Sequence, residues 1–186
     1  RLGGILADDM GLGKTLQLLT FMLHATHEGE TRPFLVVAPT SVLATWRQES
    51  ERFPPTLRVH VIDATRPRRD ETIPQIAGRV DVIVTSYTLL RLDEAEYGAV
   101  EWSAVVLDEA QAVKNAATKQ HRAVSALRRT STFAVTGTPM ENSLTDLWAL
   151  LALTAPGLFP SARRFREEYV QPIEEGKVPE NAEGGE

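Results

Sequence analysis

The stretch Ile5-Leu6-Ala7-Asp8-Asp9-Met10-Gly11-Leu12-Gly13-Lys14-Thr15 decides the fold. Ile5–Ala7 reads as a short strand, and Thr15–His27 (TLQLLTFMLHATH) carries apolar residues at helical spacing. Between them, Gly11 and Gly13 let the backbone curl so that successive N–H groups converge on phosphate oxygens. The N-terminus of the following helix adds its positive dipole end. In that geometry Lys14 reaches the β- and γ-phosphates and the Thr15 hydroxyl ligates Mg²⁺. A glycine-rich turn that merely caps a helix is the alternative, and the strand before and helix after favour phosphate binding. The general consensus G-x-x-x-x-G-K-[ST] places glycine where this chain has Asp8, so the loop is a variant. A dinucleotide fingerprint is excluded, because Leu16 stands where its third glycine belongs.

Further along the chain, apolar runs alternate with helical or turn-rich segments. Phe34–Ala38, Leu57–Ile62, Val82–Thr85, Ala104–Leu107 and Thr132–Thr136 read as strands. Val42–Phe53, Ala116–Leu127 and Leu144–Leu153 read as helices. Continuous apolar strands alternating with helices predict an α/β fold, a mostly parallel sheet with helices on both faces. Such sheets bind ligands beyond the carboxyl ends of their strands. Asp63–Gly78, with Arg66, Arg68, Arg69, Asp70 and Glu71, is expected to be a solvated excursion, and Gln171–Glu186 a polar, acidic tail.

The 186 residues suit one α/β domain, and 42% hydrophobic content supports a core. A net charge of −5 leaves no global basic field, so any nucleic-acid contact must be local. The absence of cysteine removes disulfides, thiolate zinc sites and a cysteine nucleophile, and fits a reducing compartment. No apolar run reaches the roughly 18 residues of a membrane span. Arg1-Leu2-Gly3-Gly4 runs straight into the first strand, so the N-terminus reads as a cut. His24, His27, His60 and His121 show no zinc-site spacing, and no Asn-Lys-x-Asp guanine-reading motif is present.

Val105-Val106-Leu107-Asp108-Glu109 is an apolar strand ending in two acids. Acids in that position are costly unless they meet a cation or a partner. Asp108 suits the metal, mostly through water, and Glu109 suits orienting and deprotonating an attacking water. The competing reading is an acidic N-cap of the next helix. In Ala134–Pro139, Thr136 and Thr138 flank Gly137, where hydroxyls can bond the 108–111 segment or a γ-phosphate and so sense nucleotide state. An ordinary Gly/Pro turn is the alternative there.

Together these segments resemble motifs of the Swi/Snf-type helicase-like ATPases of superfamily two. DDMGLGKT (Asp8–Thr15), DEAQAVKN (Asp108–Asn115) and TGTPMENSLTDLW (Thr136–Trp148) look like motifs I, II and III. Ala38–Trp46 is similar to motif Ia and Val84–Tyr87 to motif Ib. Gln111 separates the box from Asp-Glu-Ala-Asp RNA helicases, and Met10 and Leu12 also match the Swi/Snf type. In that pattern an acid at Asp8 is expected.

The resemblance implies a RecA-like first lobe, residues 1–160, with residues 161–186 forming a linker helix and acidic tail toward a second lobe. It implies ATP and Mg²⁺ as cofactors, contacted by Asp8, Asp9, Met10, Gly11, Leu12, Gly13, Lys14, Thr15, Asp108, Glu109, Ala110 and Gln111. It implies hydrolysis stimulated by double-stranded DNA and translocation that remodels DNA–protein complexes. Pro39, Thr40, Ser41, Thr85, Ser86 and Tyr87 would face the DNA backbone, with Lys114 adding a charge; small hydroxyls and backbone N–H groups contact phosphate without reading sequence. The arginines that complete such a site belong to the second lobe, so the lobe alone is expected to be nearly inactive. Arg163, Arg164 and Arg166 read as a solvated or linker-helix face. Trp46 and Trp148 read as packing residues. A non-catalytic nucleotide-gated module and an RNA helicase are the competing functions.

Overall fold

The fold is described from a computed structural model, which covers residues 4–7, 11–113, 115 and 117–136. The expected helix at Leu144–Leu153, the tail, and residues Asp8, Asp9, Met10, Lys114, Gly137 and Thr138 lie outside them. Among the described residues, six strands form one sheet: β1 (Gly4–Ala7), β2 (Phe34–Ala38), β3 (Val59–Val61), β4 (Val82–Ser86), β5 (Glu101–Leu107) and β6 (Arg128–Thr136). Their spatial order is β1-β6-β5-β2-β4-β3, and every pairing is parallel.

Alternation along the strands divides the apolar side chains between two faces. Leu35, Val37, Ile83, Val105, Leu107 and Ala134 join one core, and Phe34, Val36, Val82, Val84, Ala104, Val106 and Val135 the other. On the second face lie α1 (Gly11–His27), through Leu18, Leu19 and Met22, and α2 (Leu43–Arg52), through Trp46. The first face is covered by α3 (Ile73–Ala77), α4 (Tyr87–Leu92), α5 (Glu94–Gly98) and α6 (Lys119–Ser125). Both faces are therefore dry, which is why the central strands read as unbroken apolar runs.

The ends of the helices follow local chemistry. Gly29, at φ 102, lets the chain turn out of α1 while the Glu30 N–H bonds back to the Ala25 carbonyl at 3.0 Å. Thr72 and Gln75 form a reciprocal capping box on α3. The Thr118 hydroxyl accepts from the His121 N–H, which starts α6 at Lys119 rather than Ala116. Strands β5 and β6 extend further toward their N-termini than expected: Glu101 pairs with Arg128, and the polar residues there ride on the ladder their partners supply.

The 63–78 excursion is not simply solvated. Ile73 and Ile76 are buried in the core, and the Arg69 side chain is only 8% exposed. Its guanidinium donates to Asp93 at 3.0 Å, to Glu96 at 2.6 Å and to the carbonyls of Ala64 and Glu71. Packing and a paired charge thus tie this segment to α5.

Candidate active site

Three of the predicted motif segments follow the carboxyl ends of three adjacent strands. Ala7, the last residue of β1, pairs with Thr136, and Leu107, the last of β5, is opposite Ala134. Strand β6 lies between β1 and β5, so the phosphate loop, the Thr136 segment and the acid pair emerge side by side. Two strand spacings amount to roughly 10 Å, within reach of side chains around a bound phosphate chain. Gly11-Leu12-Gly13-Lys14 already form the first turn of α1, so the helix starts at Gly11 rather than Thr15. The first N–H groups of an α-helix have no partner within the helix and favour an anion. Thr15 is buried.

Asp108 continues the ladder by one bond, donating its N–H to the Val37 carbonyl at 2.8 Å. Oδ2 accepts from the indole Nε1 of Trp46 at 2.9 Å, and Oδ1 from the Glu109 N–H at 3.0 Å. Its carbonyl accepts from the Tyr87 hydroxyl at 2.8 Å. Trp46 belongs to the α1/α2 face and Tyr87 to the opposite one, so Asp108 is gripped from both sides of the sheet. Hydrogen bonds to an ionised carboxylate are worth about 1.5–3 kcal/mol, enough to fix one orientation at the end of an apolar strand.

Glu109 takes φ 48, a left-handed conformation unusual for a side chain with a Cβ. The turn redirects the chain from β5 into a 3₁₀ turn at Ala110–Val113. The Glu109 carboxylate is half-buried and accepts from Gln111 Nε2 at 2.6 Å. Gln111 is therefore a holder of the second acid, and Ala110 beneath it is fully buried. Backbone strain of order 1–3 kcal/mol, when tolerated, concentrates at functional sites.

The six residues expected to face DNA divide into two groups. Pro39 is half-buried, and Thr40 and Ser41 are exposed in a 3₁₀ turn, Thr40–Val42, that leads from β2 into α2. Thr85, Ser86 and Tyr87 are buried, at 0%, 1% and 5% exposure. Thr85 bonds the Tyr97 hydroxyl at 2.7 Å, Ser86 caps α4 by accepting from the Leu89 N–H, and Tyr87 holds Asp108. All three hydroxyls thus have partners inside the lobe. Burial, with Asp108 and Glu109 adding to it, pushes the Tyr87 phenol well above its ordinary pKa, so it remains a donor. Trp46, expected only to pack, is 1% exposed and also carries the bond to Asp108.

A profile of the SNF2-related domain matches residues 1–184. The chain belongs to the SNF2-related family. A putative ATP-dependent helicase/translocase of Bacillus subtilis, YwqA, is 42% identical over 176 residues, covering 94% of this chain and 19% of that protein. The chromatin-remodeling ATPase INO80 of Drosophila melanogaster is 38% identical over 183 residues, covering 93% of this chain and 11% of its own length. Among solved structures, the Sulfolobus solfataricus SWI2/SNF2 ATPase core in complex with dsDNA superposes with a TM-score of 0.81 at 40% identity, over 94% of this chain and 36% of that one. The Sulfolobus solfataricus SWI2/SNF2 ATPase core domain gives a TM-score of 0.79 at 40% identity. The expected RecA-like α/β architecture is thus that of SWI2/SNF2 cores. This SNF2-related chain spans a fifth or less of those two curated relatives and about a third of the solved cores. Among the described residues, no helix is long and apolar enough to cross a membrane.

Proposed function

We propose that this chain is the ATP-binding lobe of a double-stranded-DNA-stimulated ATPase and translocase that remodels DNA–protein complexes. The observation that carries the reading is the adjacency of three strand ends, where the strand feeding the phosphate loop and the strand bearing Asp108 and Glu109 flank β6. Residues 1–160 form the lobe. A second RecA-like lobe of the parent chain supplies the arginines that complete the site.

The phosphates of ATP lie along Asp8–Thr15, cradled by the loop N–H groups and by Lys14. The donor chemistry suits a magnesium ion. Asp108 is an oriented carboxylate with about four acceptor sites, which its bonds to Trp46 and the Glu109 N–H do not by themselves exhaust. No group of three or more His, Cys, Asp or Glu side chains converges among the described residues. A site of one hydroxyl, Thr15, and one carboxylate, Asp108, suits Mg²⁺ shared with phosphates and water. That ion supplies charge neutralisation on the phosphate oxygens.

Glu109 accepts a proton from the attacking water as its oxygen bonds the γ-phosphorus. The bond to the β–γ bridging oxygen breaks, leaving ADP and phosphate. Ala110 and Gln111 complete the wall beside Glu109, and Thr136, Gly137 and Thr138 couple the nucleotide state to the rest of the lobe. Duplex DNA lies with its backbone against Pro39, Thr40 and Ser41, with Lys114 adding a charge. The isolated lobe turns over ATP negligibly, since a missing arginine finger costs about 10³–10⁵ in related phosphoryl transfer.

Glu109→Gln in the full-length parent tests the reading. Nucleotide binding is retained and DNA-stimulated hydrolysis is lost; unchanged hydrolysis refutes the assigned base. Comparing stimulation by duplex DNA, single strands and RNA separates a DNA motor from an RNA helicase. ATP binding without hydrolysis under every one of these conditions leaves the non-catalytic module instead.

A further inference from the structure

We propose that Trp46 is a positioning residue for magnesium, holding the Asp108 carboxylate from a helix that begins at the exposed Thr40–Val42 turn. This rests on the proposed function, in which Asp108 serves the metal and that turn faces a phosphate backbone. Four observations carry it. The indole Nε1 lies 2.9 Å from Asp108 Oδ2. The indole is fully buried among the residues of the α1/α2 core, so it has no freedom to follow a wandering carboxylate. An indole N–H is a donor only, and once buried it is costly to leave unmade. Helix α2 begins at Leu43, directly after the turn bearing Thr40 and Ser41.

Trp46 lies about 7.5 Å along the chain from Ser41 at 1.5 Å per helical residue. The path from the exposed turn to the acid therefore runs through one rigid helix and one hydrogen bond. The opposite grip, Tyr87 on the Asp108 carbonyl, holds the backbone of the same residue. The indole never touches the reacting atoms in this scheme. It acts through Asp108, by fixing the orientation of that carboxylate.

The test uses the full-length parent and equilibrium binding of a fluorescent, non-hydrolysed ATP analogue, titrated with Mg²⁺. Two variants remove the N–H: Trp46→Phe, and 3-benzothienylalanine at position 46, which keeps the ring shape and replaces N–H by sulfur. The second guards against loss of folding from the smaller ring. The Mg²⁺ concentration for half-maximal binding is expected to rise about 10-fold, as for other outer partners of metal-ligating carboxylates. Analogue binding in EDTA is expected to stay unchanged. In ATP turnover with duplex DNA, the deficit should narrow as Mg²⁺ is raised, with the KM for ATP little altered at saturating metal. An isosteric variant with a wild-type Mg²⁺ titration overturns the inference and leaves the ATPase reading standing. A wild-type parent whose analogue binding ignores Mg²⁺ overturns both.

Discussion

The Tyr87 hydroxyl donates to the Asp108 carbonyl at 2.8 Å, across the sheet from the indole that holds the same residue's carboxylate. A residue assigned by motif to the DNA surface is thus an internal support of the acid box. Tyr87→Phe removes one buried donor and leaves the carbonyl with its other surroundings. The expected loss is about 1–2 kcal/mol of folding stability, read as a lower denaturant midpoint. The affinity for duplex DNA should change little, since the hydroxyl faces inward.

The same phenol gives an alkaline signature. Burial raises the Tyr87 pKa in the folded protein, whereas the unfolded chain titrates near the ordinary value of 10.0. A raised folded value means that the stabilising contribution is complete below pH 10 and is lost as pH rises through the folded value. Tyr97, buried against Thr85, is shifted in the same direction. Stability measured from pH 9 to 12 should fall more steeply in the wild type than in the Tyr87→Phe variant. Parallel curves would show that Tyr87 ionises freely in the fold.

Arg69 provides a test of the 63–78 excursion. Arg69→Met strips a buried charge partner from Asp93 and Glu96, which are themselves mostly covered, and leaves Glu96 only the more exposed Arg66 at 3.5 Å. Breaking a fully buried pair costs about 3–5 kcal/mol. Both carboxylates keep some access to water, so the low end, about 3 kcal/mol, is expected in chemical denaturation. A truly solvated excursion would give under 1 kcal/mol, the usual worth of an exposed pair.

Glu109 separates strain from chemistry. At φ 48 a glycine is at ease and an alanine is not. Glu109→Gly and Glu109→Ala both lack the carboxylate, and both should abolish hydrolysis. The glycine variant should nevertheless be more stable than the alanine variant by about 1 kcal/mol, despite the entropy glycine adds to the unfolded chain. Equal midpoints would mean that the turn relaxes to another conformation.

Much of this architecture was legible in the sequence, and the failures have physical causes. Phe34–Ala38 was readable to the residue because both of its faces are dry, which leaves an unbroken apolar signature. The N-terminal part of β6, Arg128-Arg129-Thr130-Ser131, carries no such mark and is a strand because β5 offers it a ladder. The phosphate loop and the acid pair could be read as motifs because their chemistry lies in adjacent residues. Their metal, base and coupling roles remain for the experiments above to test. The bond from Trp46 to Asp108 joins residues 62 apart in the chain, and no local pattern announces it. The internal bonds of Thr85, Ser86 and Tyr87 escape the sequence for a related reason: a hydroxyl serves equally well in a cap, in a core or toward a phosphate. Composition alone does not separate those uses, whereas the apolar strand immediately before Thr85 favoured burial.

The order of the strands has a consequence for biosynthesis. Strand β1 stands at one end of the sheet, and its partner there is β6, which pairs Gly4 with Phe133. The remaining four strands adjoin one another through later segments, so they can assemble while β1 is still unpaired. Closing that last pairing spans nearly the whole described chain and is entropically the slowest kind of contact to make. The phosphate loop, carried on β1, is therefore expected to reach its place last, after the ribosome has delivered β6. In the proposed function, a nascent chain would remain blind to nucleotide until β6 has joined β1.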